Sequence, residues 1–166
     1  MGVKTVVKSI HQKFWTAVSL RGIEHGKGCR VNFRCKFTNN THIGDNCHFN
    51  GMNISGCGKV VIGNNFHSGK HIRIITTFHN FKNGTALPYD ETTYDRDVII
   101  EDNVWIGESV MLLGGVVIGE GAVIQAGSVV CKDVPPLAIA GGHPAVAFKY
   151  RDKEHYEALK RAGSYM

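Results

Sequence analysis

The chain has 166 residues and a net charge of +5, with 43% hydrophobic and 20% charged residues. This length fits one domain, and the composition supplies a packed core, which excludes an intrinsically disordered protein. Glycine is frequent, with 20 residues against only 4 prolines, so a regular fold with many tight corners is predicted.

The basic residues are concentrated near the N-terminus. Residues 1–36 contain eight lysines and arginines and one acid, Glu24, whereas the other 130 residues carry a net charge of −2. No basic stripe runs along the chain, so we expect no nucleic-acid partner. Five cysteines without a CxxC pair argue against a disulfide framework or a structural zinc site. Lysines interrupt each N-terminal apolar run, which favours a cytoplasmic protein without a signal peptide.

Residues 1–22 are predicted to form a helix. Its apolar residues recur near helical spacing: Val3, Val6, Val7, Ile10, Phe14 and Val18. We expect this helix to cover the open end of a repeat fold. The alternative is weak contact of residues 1–20 with a membrane surface, which an amphipathic helix can also make.

A six-residue period dominates the middle of the chain. Large apolar residues occupy every sixth position in two runs: Val31, Phe37, Ile43 and Phe49, then Ile100, Ile106, Leu112, Ile118, Ile124 and Val130. Between the runs, after one extra residue near Ser55–Gly58, the six-residue spacing resumes at Ile62 and reaches Ile74. A period of six fits short strands separated by turns, each placing one side chain in a narrow core. We therefore predict an all-β fold, a parallel β-helix of hexapeptide repeats over residues 23–140.

A long loop interrupts this period at residues 80–97. Asn83-Gly84 and Pro88 are turn signals within it. Long loops that leave a regular scaffold are usually functional. His79 lies at the root of the loop, in ITTFHNF, and its place in the hexad predicts a side chain that points away from the core.

The whole chain, residues 1–166, is predicted to form a single domain. It comprises the cap helix (1–22), the β-helix (23–140) and a C-terminal segment (141–166), in which residues 152–162 are typical of a short helix.

Five segments carry a resemblance to a known family. They are IGNNF (62–66), ITTFHN (74–80), DNVWIG (102–107), AGSVVCKDVPP (126–136) and GGHPAVAFKYR (141–151). Over residues 31–151 the chain resembles the hexapeptide-repeat acyltransferases, in the sugar O-acetyltransferase branch that includes maltose, galactoside and polysaccharide-biosynthesis acetyltransferases. The resemblance implies a left-handed β-helix, a homotrimer, and acetyl-coenzyme A sites between neighbouring subunits.

The resemblance also implies roles for single residues. His79 is the expected general base, because imidazole, with a pKa of about 6.5, can take the proton of an acceptor hydroxyl at neutral pH. The residues expected to contact or shape the acceptor site are Asn50, Trp105, Tyr89 and Asp90. The residues expected to line the coenzyme site are Trp105, Gly107, Ala126, Cys131, Lys132, Lys149 and Arg151. Two positions depart from the family pattern, with Cys131 in place of a common threonine and Glu108 in place of a small residue.

Structural interpretations compete with several of these roles. Asn50 also fits a turn asparagine, Trp105 an outer-face residue at a subunit contact, and Lys149 and Arg151 solvated surface charges. His48 and His67, 19 positions apart, are expected to stack on one outer face. A zinc site like that of hexapeptide-fold carbonic anhydrases is a less favoured interpretation of these histidines, and no metal is expected.

The sequence therefore predicts an acetyl-coenzyme A-dependent O-acetyltransferase that acts directly on a hydroxyl of a sugar or glycan precursor. The alternative is an amino-sugar or antibiotic N- or O-acetyltransferase. A zinc-dependent hydratase and a catalytically silent trimeric scaffold are less favoured. The acidic side chains of residues 80–97 disfavour an anionic acceptor.

Overall fold

The computed structural model describes residues 3–166, with side chains from residue 6 onward. Within that range the helices are α1 (Val3–Ser19) and α2 (Lys153–Arg161). In chain order the strands are β1 (Glu24–His25), β2 (Arg30–Val31), β3 (Thr41–Ile43), β4 (His48–Phe49), β5 (Met52–Ser55), β6 (Val60–Ile62), β7 (His67–Ser68), β8 (Ile72–Ile75), β9 (Thr77–His79), β10 (Thr93–Asp95), β11 (Val98–Ile100), β12 (Trp105–Ile106), β13 (Met111–Leu113), β14 (Val116–Ile118), β15 (Val123–Ile124), β16 (Val129–Val130), β17 (Ala138–Gly142) and β18 (Ala145–Tyr150).

Three sheets form the three faces of a triangular coil. Sheet A contains β1, β3, β6, β11 and β14; sheet B contains β2, β4, β7, β12, β15, β17 and β18; sheet C contains β5, β8, β13 and β16. The chain visits A, B and C in turn, and neighbouring coils pair in parallel, with Ile62 opposite both Ile43 and Ile100. Only β18 departs, pairing antiparallel with β17 among the described strands of these sheets. The parallel β-helix expected from the six-residue period is confirmed.

The core is a column of apolar side chains inside the coil, and each side of each coil contributes to it. The six residues of the second predicted run are each 0–1% exposed: Ile100, Ile106, Leu112, Ile118, Ile124 and Val130. Each large aliphatic side chain removed from water in this way stabilises the fold by about 1.5–3 kcal/mol. Cys35 and Cys47 are buried in the same column, and burial raises the pKa of the Cys35 thiol to about 11.

A ladder of asparagines forms the corner between sheets A and B. Asn46, Asn65 and Asn103 adopt φ of 54°, 55° and 60°, a conformation that costs most residues about 1–2 kcal/mol but that asparagine tolerates. Asn46 Nδ2 donates to Asn65 Oδ1 at 3.0 Å, and Asn65 Nδ2 donates to Asn103 Oδ1 at 2.9 Å. The side chains thereby bond coil to coil along the corner.

Helix α1 covers the first coil largely through polar contacts. The Val31 N–H donates to Thr16 Oγ1 at 2.9 Å, and the Cys35 N–H donates to Ser19 Oγ at 3.1 Å. These donors belong to the first coil, which has no preceding coil to pair with, so the helix hydroxyls satisfy them. Leu20, just after the helix, is 5% exposed and packs on the core. Helix α1 thus lies at the end of the coil where the sequence predicts a cap, and residues 1–2 of the predicted range 1–22 lie outside the described residues.

The apolar face assigned to α1 from the sequence is wrong as the covering face. Its described side chains are 43–63% exposed: Val6, Val7, Ile10, Phe14 and Val18. The Val3 side chain lies outside the described residues. The face turned toward the coil is instead the one that carries the hydroxyls and Trp15. Membrane-surface contact by this stripe stays a prediction, and no helix within residues 3–166 is long and apolar enough to span a bilayer.

The C-terminal segment folds back on the corner between sheets A and B. The boundary expected at residue 140 falls inside β17, and α2 matches the expected helix over 152–162. Tyr156 on α2 donates its hydroxyl hydrogen to Glu120 at 2.8 Å and accepts from Asn103 Nδ2 at 2.8 Å. Burial, reinforced by this bond to Glu120, raises the pKa of Tyr156 above its ordinary value.

The interruption of the period is a hairpin between the third and fourth coils. Strands β9 and β10 pair antiparallel with each other and form a two-stranded sheet of their own. The coil resumes where the Arg96 N–H donates to the Thr76 carbonyl at 2.8 Å. The loop expected over residues 80–97 is therefore an insertion, with part of its length in strand β10.

Candidate functional site

The site residues expected from the sequence occupy two different edges of the triangular coil. One edge, between sheets B and C, contains the turns 50–51, 69–71, 107–109 and 125–127, and we call it the Asn50 edge. The other, between sheets C and A, contains the hairpin and the turn 131–133, and we call it the His79 edge. Strand β8, four residues long, joins the two edges, so they lie about 15 Å apart within one protomer.

His79 lies at the end of β9 and is exposed, as its place in the hexad predicts. Its imidazole stacks on the Tyr89 ring, with centroids 3.8 Å apart and planes 12° from parallel. Neither ring nitrogen is hydrogen-bonded to a residue in the described part of the chain. The Tyr89 contact thus holds the ring plane and leaves the nitrogens available to a substrate.

Asp90 organises the hairpin that carries His79. Its carboxylate accepts hydrogen bonds from the N–H groups of Thr85 (2.8 Å) and Thr92 (2.9 Å) and from both threonine hydroxyls. The Thr92 hydroxyl, followed by the two backbone donors, lowers the pKa of Asp90 to about 2. Asp90 therefore stays charged, and its oxygens are engaged in shaping the loop beside His79.

Trp105, Gly107 and Ala126 come together at the Asn50 edge. Trp105 lies on the outer face of sheet B and is 57% exposed. The Gly107 N–H donates to the Ile124 carbonyl at 2.8 Å, and a Cβ on Gly107 would lie 2.5 Å from the Ala126 nitrogen. Only glycine lets the two turns stack this closely, so Gly107 fixes where the Ala126 backbone lies.

Cys131 and Lys132 are exposed on the His79 edge, in the turn that follows β16. The Val117 N–H donates to Asp133 Oδ1 at 2.8 Å and anchors this turn to the preceding coil. These residues share an edge with His79 and are separated by sheet C from Gly107.

Lys149 and Arg151 lie apart from each other. Lys149 is exposed on β18 and pairs with Ile139 of β17. Through Val123 of β15 this row of paired residues in sheet B continues to Trp105. Three strand spacings separate Lys149 from Trp105, which is about 14 Å. Arg151 lies at the corner between sheets A and B, where its Nη1 donates to the Gly121 carbonyl at 3.2 Å and its guanidinium covers the Tyr156 ring at 4.8 Å. The geometry gives Arg151 a packing role away from Gly107.

Asn50 is a turn asparagine that also faces a cavity. Asn32 Nδ2 donates to Asn50 Oδ1 at 2.8 Å, and Asn50 Nδ2 donates to the Ser68 carbonyl at 2.6 Å. One amide hydrogen remains for a ligand. The cavity, of about 610 Å³, is lined by residues that the sequence did not single out, among them His11, Trp15, Phe33, Lys70 and Arg73. Two of these come from α1, whose docking on the coil the repeat pattern does not encode.

His48 and His67 stack on the outer face of sheet B, as their spacing predicts, with ring centroids 4.4 Å apart. The Nε2 atoms of both rings are buried without a hydrogen-bond partner. Burial lowers the pKa of both histidines, which favours neutral rings. Within the described residues no group of three or more metal-ligating side chains is found.

Comparison with known proteins relates the chain to transferases. Residues 97–132 match the family model described as bacterial transferase hexapeptide (six repeats). The galactoside O-acetyltransferase of Escherichia coli strain K12 is 35% identical over 124 residues, which cover 72% of this chain and 60% of that enzyme. The chain spans 56–60% of the length of the first curated relatives it matches.

Solved structures show the same fold. A hexapeptide-repeat-containing acetyltransferase from Vibrio cholerae has a TM-score of 0.70 and 29% identity, over 85% of this chain and 82% of that chain. A galactoside acetyltransferase in complex with coenzyme A has a TM-score of 0.68 and 25% identity, over 85% of this chain and 72% of that chain. The expected left-handed β-helix is confirmed by these neighbours.

Proposed function

We propose that this chain, which belongs to the hexapeptide-repeat transferase family, transfers an acetyl group from acetyl-coenzyme A to a hydroxyl of a sugar or glycan precursor. Similarity to galactoside O-acetyltransferase supports the reaction class, and the neighbour solved with coenzyme A supports the donor. His79 is the general base in this proposal.

The observation that carries the proposal is the division of the site residues between two edges. Within the described residues, no hydrogen bond, ion pair or ring contact joins His79 to Asn50, Trp105 or Ala126. A head-to-tail association that closes into a ring would place the His79 edge of one subunit against the Asn50 edge of the next. A cyclic homotrimer of triangular coils provides that arrangement and makes three equivalent sites.

Exposed apolar side chains on the hairpin support this assembly. Phe81 is 63% exposed, Leu87 96% and Tyr89 43%. Clustered apolar side chains of this kind usually mark an interaction surface. A neighbouring subunit would cover them and would fix the hairpin that carries His79.

The position of the hairpin along the coil supports a base that would lie between two potential binding regions. It leaves the coil between the third and fourth turns, next to Thr76. In an assembly with its axis parallel to the coil, same-level turns face each other, so the hairpin would meet the neighbour's turns 69–71 and 107–109. The Asn50 cavity extends from that level toward the first coil, and the Ala126 turn lies on the other side of it, beyond the Gly107 turn. The acceptor would bind in the first region and the acetyl thioester in the second.

The chemistry then needs only one acid–base side chain. His79 takes the hydroxyl proton as the acceptor oxygen bonds to the thioester carbonyl carbon, the carbon–sulfur bond breaks, and the protonated imidazole returns a proton to the leaving thiol. A positioned base of this kind contributes about 10²–10⁴-fold. Alignment of donor and acceptor at one subunit contact supplies the remaining acceleration.

A thiol-release assay tests the proposal, with acetyl-coenzyme A and a panel of sugars, nucleotide sugars, amino sugars and an antibiotic acceptor. We expect His79→Ala to lower the rate on the best acceptor by about 100-fold or more, while His155→Ala, at an exposed histidine on α2, leaves it unchanged. Full activity of His79→Ala would exclude the general-base role. Faster transfer to an amine than to any hydroxyl would replace O-acetylation by N-acetylation.

A further inference from the structure

The cavity beside Asn50 has an unusual charge. Of the 12 described residues that line it, none is acidic, and five are arginine, lysine or histidine. Three of these are full cations, Arg34, Lys70 and Arg73. The cavity lies between α1 and the turns of the first three coils, with Arg34 from the first coil and Lys70 and Arg73 from the third.

The three cations form no ion pair with a described side chain. The ion pairs among the described side chains, residues 6–166, join His42 to Glu24 and Lys160 to Glu120, so no described carboxylate lies within 4.0 Å of Arg34, Lys70 or Arg73. Like charges grouped without partners raise the local positive potential and attract anions. An oxyanion on a ligand would supply the missing charge through charge-assisted hydrogen bonds.

Aromatic rings form another part of the cavity wall. Lys70 Nζ lies 4.8 Å from the centroid of the Phe33 ring. Phe33 packs edge-on against His11, whose Nε2 accepts a hydrogen bond from Trp15 Nε1 at 2.9 Å. These rings are held in place and offer an apolar surface beside the cations, which suits a sugar ring that carries a charged group.

From this arrangement we infer that the acceptor is an anionic sugar, whose phosphoryl or carboxylate group binds Arg34, Lys70 and Arg73 in the Asn50 cavity. The inference rests on the proposed function for its acceptor role, since it places the acceptor at this cavity. Three of the four acidic residues of 80–97, which suggested a neutral acceptor, accept hydrogen bonds from their own chain: Asp90 from Thr85 and Thr92, Asp95 from the Thr77 hydroxyl, and Asp97 from the Lys59 N–H. The cationic cavity therefore decides the charge preference.

Isothermal titration calorimetry on the assembled protein tests the site without requiring turnover. The probes are glucose, glucose 1-phosphate and glucuronic acid, which share a ring and differ in charge. At low salt at least one anionic sugar should bind about tenfold or more tightly than glucose, and Arg73→Gln and Lys70→Gln should each remove about tenfold of that affinity. The phosphate and carboxylate arms then identify which oxyanion the site prefers.

Lys153→Gln is the matched control, because Lys153 is an exposed cation on α2, outside the cavity. The inference would be overturned if Lys153→Gln lost as much affinity for the anionic sugar as the cavity variants. It would also be overturned if glucose and the anionic sugars bound equally tightly, or if none of them bound. Anion binding that depends on Arg73, in a protein without transferase activity, would keep the site and exclude the proposed function. Transfer to neutral sugars at a rate that Arg73→Gln leaves unchanged would support the proposed function and exclude the anion site.

Discussion

Replacing Gly107 with alanine is expected to weaken coenzyme A binding by about tenfold. The added Cβ would lie 2.5 Å from the Ala126 nitrogen, 2.8 Å from the Ile124 carbonyl oxygen and 2.9 Å from the Ala126 Cα. Ordinary contacts begin at 3.4 Å, so the Ala126 turn must retreat by about 0.9 Å, which is more than a hydrogen bond tolerates. Loss of one backbone contact to the coenzyme corresponds to about 1.4 kcal/mol, or tenfold in affinity.

The same substitution should also lower the stability of the fold. All three close atoms belong to the backbone of the next coil and cannot rotate away, as a side chain could. Overpacking of this kind costs about 1–3 kcal/mol, which is about 2–4 °C in Tm for each kcal/mol in a chain of this size. Thermal unfolding and calorimetric titration with coenzyme A measure the two effects separately.

Gly44→Ala is the matched control. There the Cβ would lie 2.7 Å from Asn64 Oδ1 and 2.9 Å from the Gly63 carbonyl carbon, a similar clash at the corner between sheets A and B. We expect a similar fall in Tm with unchanged coenzyme affinity. If Gly107→Ala bound coenzyme A as tightly as the unmodified protein, or if Gly44→Ala lost as much affinity, the Gly107 turn would have no specific role in the coenzyme site.

Two further predictions concern stability. Because the pKa values of His48 and His67 are lower in the folded protein, the unfolded chain binds more protons as pH falls through about 6.5, and stability should be lost in that range. Replacing both histidines with phenylalanine should flatten the dependence of the unfolding free energy on pH between 5 and 7.5, and an unchanged slope would contradict this. Tyr156→Phe removes the bonds to Glu120 and Asn103 and should cost about 1–3 kcal/mol in denaturant unfolding, whereas Tyr165→Phe, at an exposed ring, should cost less than about 0.5 kcal/mol.

The sequence predicts the scaffold well, because stacking coils must repeat the same side-chain type at the same place. Ile106 and Ile124, 18 positions apart, pair directly in sheet B, and the six-residue count anticipates that contact. The exposure of His79 follows from the same count. The asparagine ladder also leaves a sequence signal, since Asn46 and Asn65 recur one coil apart at a corner that requires positive φ.

The orientation of α1 could not be predicted from its apolar pattern. Hydrophobic periodicity identifies an amphipathic helix but not what its faces contact. Here the unpaired N–H groups of the first coil select the face that carries Thr16 and Ser19. The cavity that contains His11 and Trp15 depends on that docking, so the sequence pattern gave no indication of it.

The division of the site between two edges could have been predicted from the sequence. Gly107 and Ala126 are 19 positions apart, about one coil, whereas Cys131 follows Ala126 by only five, about one side of the triangle. Counting in coils separates these residues into different edges. The resemblance of motifs alone does not, because it assigns residues to a ligand without assigning them to a subunit.

Subunit complementation tests most directly the central claim that each site takes His79 from one subunit and the Gly107 turn from the next. His79→Ala and Gly107→Ala are first assayed alone at a coenzyme concentration well below saturation, where we expect about 1% and about 10% of the unmodified activity respectively. The two variants are then unfolded together in equal amounts and refolded. Random assembly makes about a quarter of the subunit contacts productive, so the mixture should recover about a quarter of the unmodified activity. Activity no higher than the mean of the two separate variants would show that both residues act within one chain or in no common site.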